Sequence, residues 1–192
     1  MAEPTLKGKL LVAAPLMHEQ TFARTVISML EHNDDGALGV VINRPGDASL
    51  IEVVPYLADL ASHPAVLFAG GPVEPQAAIA LGFVASDAAI LARNATQQGW
   101  RPVAPPLVTV DLDVDPDMLA TELRELRVFA GYAGWGAGQL ENEIAQGAWY
   151  VVESLPLDVF DATPDQLWST VLRRQPWPLS AVATCPVDPN MN

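Results

Sequence analysis

The sequence predicts a single α+β domain, and three observations carry that prediction. Half of its 192 residues are hydrophobic, enough to close a core and to exclude wholesale disorder. Strand-like and helix-like segments alternate only in the second half, whereas a doubly wound sheet would alternate throughout. No internal repeat and no linker divides a chain of one-domain length.

The elements follow in chain order. Lys9–Ala14 reads as an opening strand closed by Pro15. Lys7 and Lys9 ahead of Leu10–Met17 superficially suggest a signal peptide, but His18-Glu19 ends the run without a small-residue cleavage site. Thr25–Glu31 and Ala37–Asn43 are β-branched runs flanking Asn33-Asp34-Asp35-Gly36, which predicts a hairpin with a loop longer than two residues. Arg44-Pro45-Gly46 ends it. Leu50, Val53, Val54, Leu57 and Leu60 have helical spacing behind Asp47 or Ser49, and Pro55 makes that helix short or kinked. Ala65–Ala69 is a strand ended by Gly70-Gly71-Pro72, Gln76–Ala85 fits helix or strand, and Arg93–Pro106 reads as a loop.

Leu107–Leu112 is a strand. Asp115 caps a helix opened by Pro116, with Met118, Leu119, Leu123 and Leu126 as its apolar stripe. Val128–Tyr132 is a strand, Gly134, Gly136 and Gly138 form a bend, and Gln139–Gln146 is a helix ended by Gly147. Trp149–Val152 is a strand. Thr163, Pro164 and Gln166 have the spacing of a capping box before a helix whose Trp168, Val171 and Leu172 face inward. Pro176 and Pro178 stop it, and residues 179–192 read as a loose tail.

Ten basic against 23 acidic residues give a net charge of −13. With no basic stripe and no helix-turn-helix pattern, direct nucleic acid binding is not expected. No apolar run approaches the ~18 residues of a membrane span, so no membrane partner is expected either. The single cysteine, Cys185, allows no disulfide within the chain and fits a reducing cytoplasm.

Motifs with chemical meaning fail one by one. The glycine-rich segment Gly134–Gly138 has Gln139 where a dinucleotide fingerprint needs glycine, and Glu141 and Glu143 follow where phosphate would bind. Asp111, Asp113, Asp115, Asp117 and Glu122 mimic calcium-loop spacing, but Pro116 takes the position that must be glycine. His18-Glu19 has Phe22 in place of the second zinc-protease histidine. There is no G-x-S-x-G, and Cys185 has no supporting motif. No metal and no cofactor is therefore expected.

Two segments retain functional potential. His32, between Glu31 and Asn33, lies at the hairpin bend, with Asn43 and Arg44 closing the same hairpin. These residue types could serve as an acid–base pair or as ligands, although turn architecture explains them more simply. The second segment carries Tyr132, Trp135, Gln139 and Glu143. Gln139 and Glu143 stand four apart on one helix face, and an aromatic pair beside them could line a small-molecule or peptide pocket.

Three strings together resemble the bacterial YqgE/AlgH family. They are Glu31–Pro45, Gly70-Gly71-Pro72-Val73, and Arg127–Glu143 reaching on to Trp149, with Pro15-Leu16-Met17 and Phe22–Val26 also fitting. The resemblance runs from about Gly8 to Trp168. It implies an α+β fold with a branched, partly barrel-like mixed sheet surrounded by helices. It supplies no catalytic residue, since the family has no settled biochemical function. Some members are labelled transcriptional regulators.

The expectation is therefore a non-catalytic cytoplasmic regulatory or interaction protein, acting indirectly through a protein or small-molecule partner. The alternative is an enzyme or ligand-binding protein that uses segments 31–44 and 132–143. Convergence of His32, Arg44, Gln139 and Glu143 in one cleft would favour that alternative.

Overall fold

A computed structural model of the chain describes residues 5–17, 19–84 and 99–186. The apolar runs become β1 (Lys9–Ala13), β2 (Val26–Asn33), β3 (Gly36–Val41), β4 (Pro45–Ser49), β5 (Val66–Ala69) and β6 (Val73–Val84). β7 (Trp100–Ala104), β8 (Leu107–Val110), β9 (Leu123–Gly136) and β10 (Trp149–Glu153) follow. The α-helices are α1 (Leu50–Val53), α2 (Pro116–Glu122), α3 (Gln139–Ala145), α4 (Pro164–Arg173) and α5 (Leu179–Val182). Adjacent strands run β10-β1-β2-β3-β9-β6-β8-β7, with β4 on β5 and β5 on β9. All pairs are antiparallel except β5 with β9. The sheet curls until the start of β1 meets the end of β7, where a Cβ on Gly8 would strike the side chain of Ala104. This is the α+β half-barrel expected.

The branch sits on β9. One edge of β9 pairs with β6 from Leu123 to Tyr132. The other edge pairs with β5 at Phe129 and Ala130, then with β3 from Ala133 to Gly136. Where the partners change, backbones approach too closely for side chains. A Cβ on Gly70 would run into the Gly131 carbonyl, and one on Gly131, at φ +68°, would meet the Gly71 carbonyl at 2.5 Å.

Three apolar clusters fill the space around the sheet. One joins the sheet to α4 and α5 through Phe68, Phe129, Trp168, Val171 and Leu172. A second places Leu50, Leu57 and Leu119 against β6, β8 and β9. A third packs Leu140, Trp135 and Trp149 against Leu11, Ile27 and Met29.

Several expectations need correction. The β2–β3 loop has two residues, Asp34 and Asp35, because Asn33 pairs with Gly36. Pro45 begins β4 rather than a terminating loop. Gln76–Val84 is strand, and Trp100–Ala104 in the supposed loop is edge strand β7, where Pro102 can lack its N–H. Residues 85–98, His18 and the end from 187 lie outside the described residues. Leu123 and Leu126 belong to β9, not to the stripe of α2. β9 continues through Gly134 to Gly136, so the glycine bend shrinks to Ala137-Gly138. Thr163 makes no capping hydrogen bond, and its hydroxyl donates instead to Asp161 at 2.7 Å. The tail is docked as far as it is described, with Ala183 buried and Leu179, Val182 and Cys185 packed on the core.

The most consequential polar group in the core is Arg127 on β9, 1% exposed. One of its terminal nitrogens donates to the carbonyls of Val159 (2.9 Å) and Asp161 (3.1 Å), the other to that of His63 (2.6 Å). Its guanidinium carbon lies 4.2 Å from the Phe68 ring centre. Burial pulls its pKa down to about 10, against the pull of Asp161 and Glu125, so it remains a cation at neutral pH. Its hydrogen bonds tie down two loops, and a buried carbonyl left without a donor is costly. Arg127→Met leaves the carbonyls of His63, Val159 and Asp161 without this donor and should destabilise the protein by about 1–3 kcal/mol or more, read as a lower urea midpoint with an unchanged slope.

Candidate functional site

The segment that joins β9 to β10 builds a hydrogen-bonded centre on Glu143. Gly138, at φ +72°, turns the chain into α3. Gln139 occupies its first turn, accepting from the Gly136 N–H (3.1 Å) and donating to Glu143 Oε1 (2.9 Å). The two residues share a face, as their spacing predicts. Glu143 Oε2 accepts from the indole N–H of Trp135 (2.9 Å) and of Trp149 (2.8 Å). Both indoles are buried, and a buried indole N–H is a donor that requires a partner. The rings themselves stack edge to face with centroids 6.1 Å apart.

Glu143 also lines a groove of about 930 Å³. Ala14–Met17 and Glu19, just past β1, form one side. Gln146–Tyr150 form the base, and Val182, Cys185 and Pro186 the far wall. That wall is held by Arg24, whose guanidinium donates to the carbonyls of Cys185 (2.5 Å) and Pro186 and lies 4.3 Å from the centre of a Trp168 ring. Arg24 itself sits at φ +56°, a left-handed conformation unusual for a residue with a side chain. Leu16 stands on the lip, 74% exposed.

Of the residues anticipated from sequence, Trp135, Gln139 and Glu143 meet; the others do not join them. His32 Nδ1 accepts from the Leu6 N–H (3.1 Å), which leaves the ring proton on Nε2 for Glu141 (2.7 Å). Asn33 closes the tight turn by accepting from the Asp35 N–H at 2.9 Å. Asn43 accepts from the Val26 N–H (2.8 Å) and donates to the Arg24 carbonyl (2.9 Å), and Arg44 donates to the Ala23 carbonyl (2.7 Å). Both therefore brace the 23–26 segment. Tyr132 is half-buried against the main core cluster. The four-residue cleft of His32, Arg44, Gln139 and Glu143 does not assemble.

Sequence reasoning missed the groove and the two arginines. Arg127 carried a readable signal, a lone cation inside the apolar run Leu126–Ala130. The groove carried none, because its three sides come from remote parts of the chain.

Fold and site define an acidic half-barrel protein whose candidate polar residues are tied into its own framework and which carries an open groove. The chain belongs to the AlgH-like family (DUF179), whose pattern matches residues 10–180. It is 46% identical over 188 residues to a UPF0301 protein of Streptomyces avermitilis, covering 98% of this chain and 96% of that one. It is 45% identical over 194 residues to a UPF0301 protein of Mycobacterium tuberculosis, covering 100% and 93%. A crystal structure from Corynebacterium diphtheriae matches with TM-score 0.86 and 35% identity over 95% of this chain and 93% of that one. The solution structure of the AlgH protein from Pseudomonas aeruginosa matches with TM-score 0.68 and 30% identity over 96% of each chain.

Two predictions follow from these bonds. Glu143→Ala strands two buried indole donors and should cost about 2–4 kcal/mol, with Glu143→Gln recovering part of it, both measured by urea unfolding. The hydrogen bond from His32 holds the Glu141 carboxyl below its ordinary 4.5, assisted by its own backbone N–H. A carboxyl depressed in this way adds stability above 4.5 and loses it as pH falls through the lower folded value. Thermal melts from neutral pH down to pH 3 should therefore show wild type above Glu141→Gln at neutral pH, with the gap closing in acid.

Proposed function

We propose that the protein is a binding protein that works through the groove at the β1–β10 end of the sheet. One contrast carries this reading. His32, Asn33, Asn43, Arg44 and Gln139 each serve an internal hydrogen bond, while the 930 Å³ groove is walled by apolar groups with Leu16 exposed at its lip. A concave apolar surface with few polar groups is the usual form of a ligand or partner seat. The same reading makes any regulatory role indirect: a chain of net charge −13 would exert control through a bound partner, not through contact with duplex. A cytoplasmic setting fits its lone thiol. No helix among the described residues is long and apolar enough to cross a membrane.

The test is photo-crosslinking in native cells. A photoreactive residue replacing Gln146, at the groove, should give a discrete adduct that the same residue at Ile51, outside it, does not. Leu16→Asp should reduce that adduct several-fold. Identical adducts from both positions, or none from Gln146, would overturn the proposal.

A further inference from the structure

We infer that the groove takes an extended, basic peptide segment of a partner protein, with apolar residues beside its lysines or arginines. The inference rests on the binding reading above and adds the chemistry of the occupant.

Charge is the first argument. Glu143 is half-buried, and its three side-chain partners, two indoles and an amide, are all neutral. Such donors stabilise a carboxylate without cancelling its charge. Among the described residues Oε2 takes two hydrogen bonds and Oε1 one, which leaves Oε1 room for a further donor. Glu19 adds a second carboxylate at the rim, and among the described residues no lysine or arginine lines the groove. Other cations have partners of their own. Lys7 pairs with Glu31, Lys9 with Glu153 and Arg174 with Asp158, while Arg24 faces the Cys185 and Pro186 carbonyls. Arg24 spends its hydrogen bonds on the carbonyls of that wall, so a ligand cation would pair with the Glu143 and Glu19 carboxylates themselves, and the field of the whole acidic chain would draw it in.

Shape is the second argument. Pro15, Leu16, Met17 and Val182 offer apolar contact a few residues wide. Trp149 and Tyr150, which also line the groove, begin β10, the edge strand, which among the described residues pairs only with β1. An unpaired strand edge offers main-chain donors and acceptors to an extended chain. A peptide with alternating basic and apolar residues would use carboxylates, apolar wall and strand edge together. A small amine would use only the first.

The experiment is selection of a random dodecapeptide display library on the immobilised full-length protein. Cys185, the chain's one cysteine, lines the groove and reports occupancy through its alkylation by iodoacetamide. Selected peptides should be enriched in Lys or Arg next to Leu, Met or Phe. They should slow Cys185 alkylation, weaken with added salt, and bind the exposed-site variant Glu19→Gln about threefold to fivefold more weakly. Acidic or neutral binders, unchanged Cys185 reactivity, an unaffected Glu19→Gln, or no peptide recovered while spermidine alone protects Cys185 would each overturn the inference. If the Gln146 crosslink forms but the peptides are not basic, the groove stands and its assigned chemistry falls. If neither appears, both fall.

Discussion

Because a strand has only two hydrogen-bonding edges, β9 can serve β3, β5 and β6 only by changing partner along its length. That constraint shapes the molecule. The exchange at Phe129–Ala133 requires backbone to approach backbone, which is why Gly70, Gly71 and Gly131 crowd there. It also buries both faces of β9 at its middle, where Arg127 sits. A guanidinium in that position must be surrounded by acceptors. Neighbouring segments supply them as the carbonyls of His63, Val159 and Asp161. One strand thus fixes the sheet's branch and anchors the loops that pack against it.

The parts of the fold legible in the sequence were those set by local chemistry. Asp115 caps α2 by accepting from the Asp117 N–H at 3.0 Å, Gly147 ends α3 with φ +77°, and Trp168, Val171 and Leu172 are buried as their spacing implies. The errors fall where a distant partner decides. Leu123 and Leu126 suit a helix stripe equally well, and only pairing with Val84 and Gly82 of β6 makes them strand. Gly134 and Gly136 look like a turn until Gly36 and Leu38 of β3 pair with them. Thr163 had the letters of a capping box, but Asp161 offered its hydroxyl a nearer acceptor.

The candidate site divides along the same line. Gln139 and Glu143 were found because helical spacing is local, and the indoles of Trp135 and Trp149 then gave Glu143 its structural task. His32 looked like an acid–base group beside Glu31 and Asn33, yet its partner is Glu141, which no local pattern shows. The carboxylate at the centre of these contacts has two consequences at once. It satisfies buried donors on one side and borders the groove on the other.

The pairing of β1 with β10 joins Lys9 to Glu153 across most of the chain. Contacts of such high sequence separation carry a loop-closure entropy that falls once the intervening strands have ordered. The groove's base and flank lie at this junction. Its lining comes from residues 14–17 and 19, 143–150 and 182–186, so a chain in which β1 and β10 are unpaired lacks it. The surface exists only in a chain whose first and last strands have met.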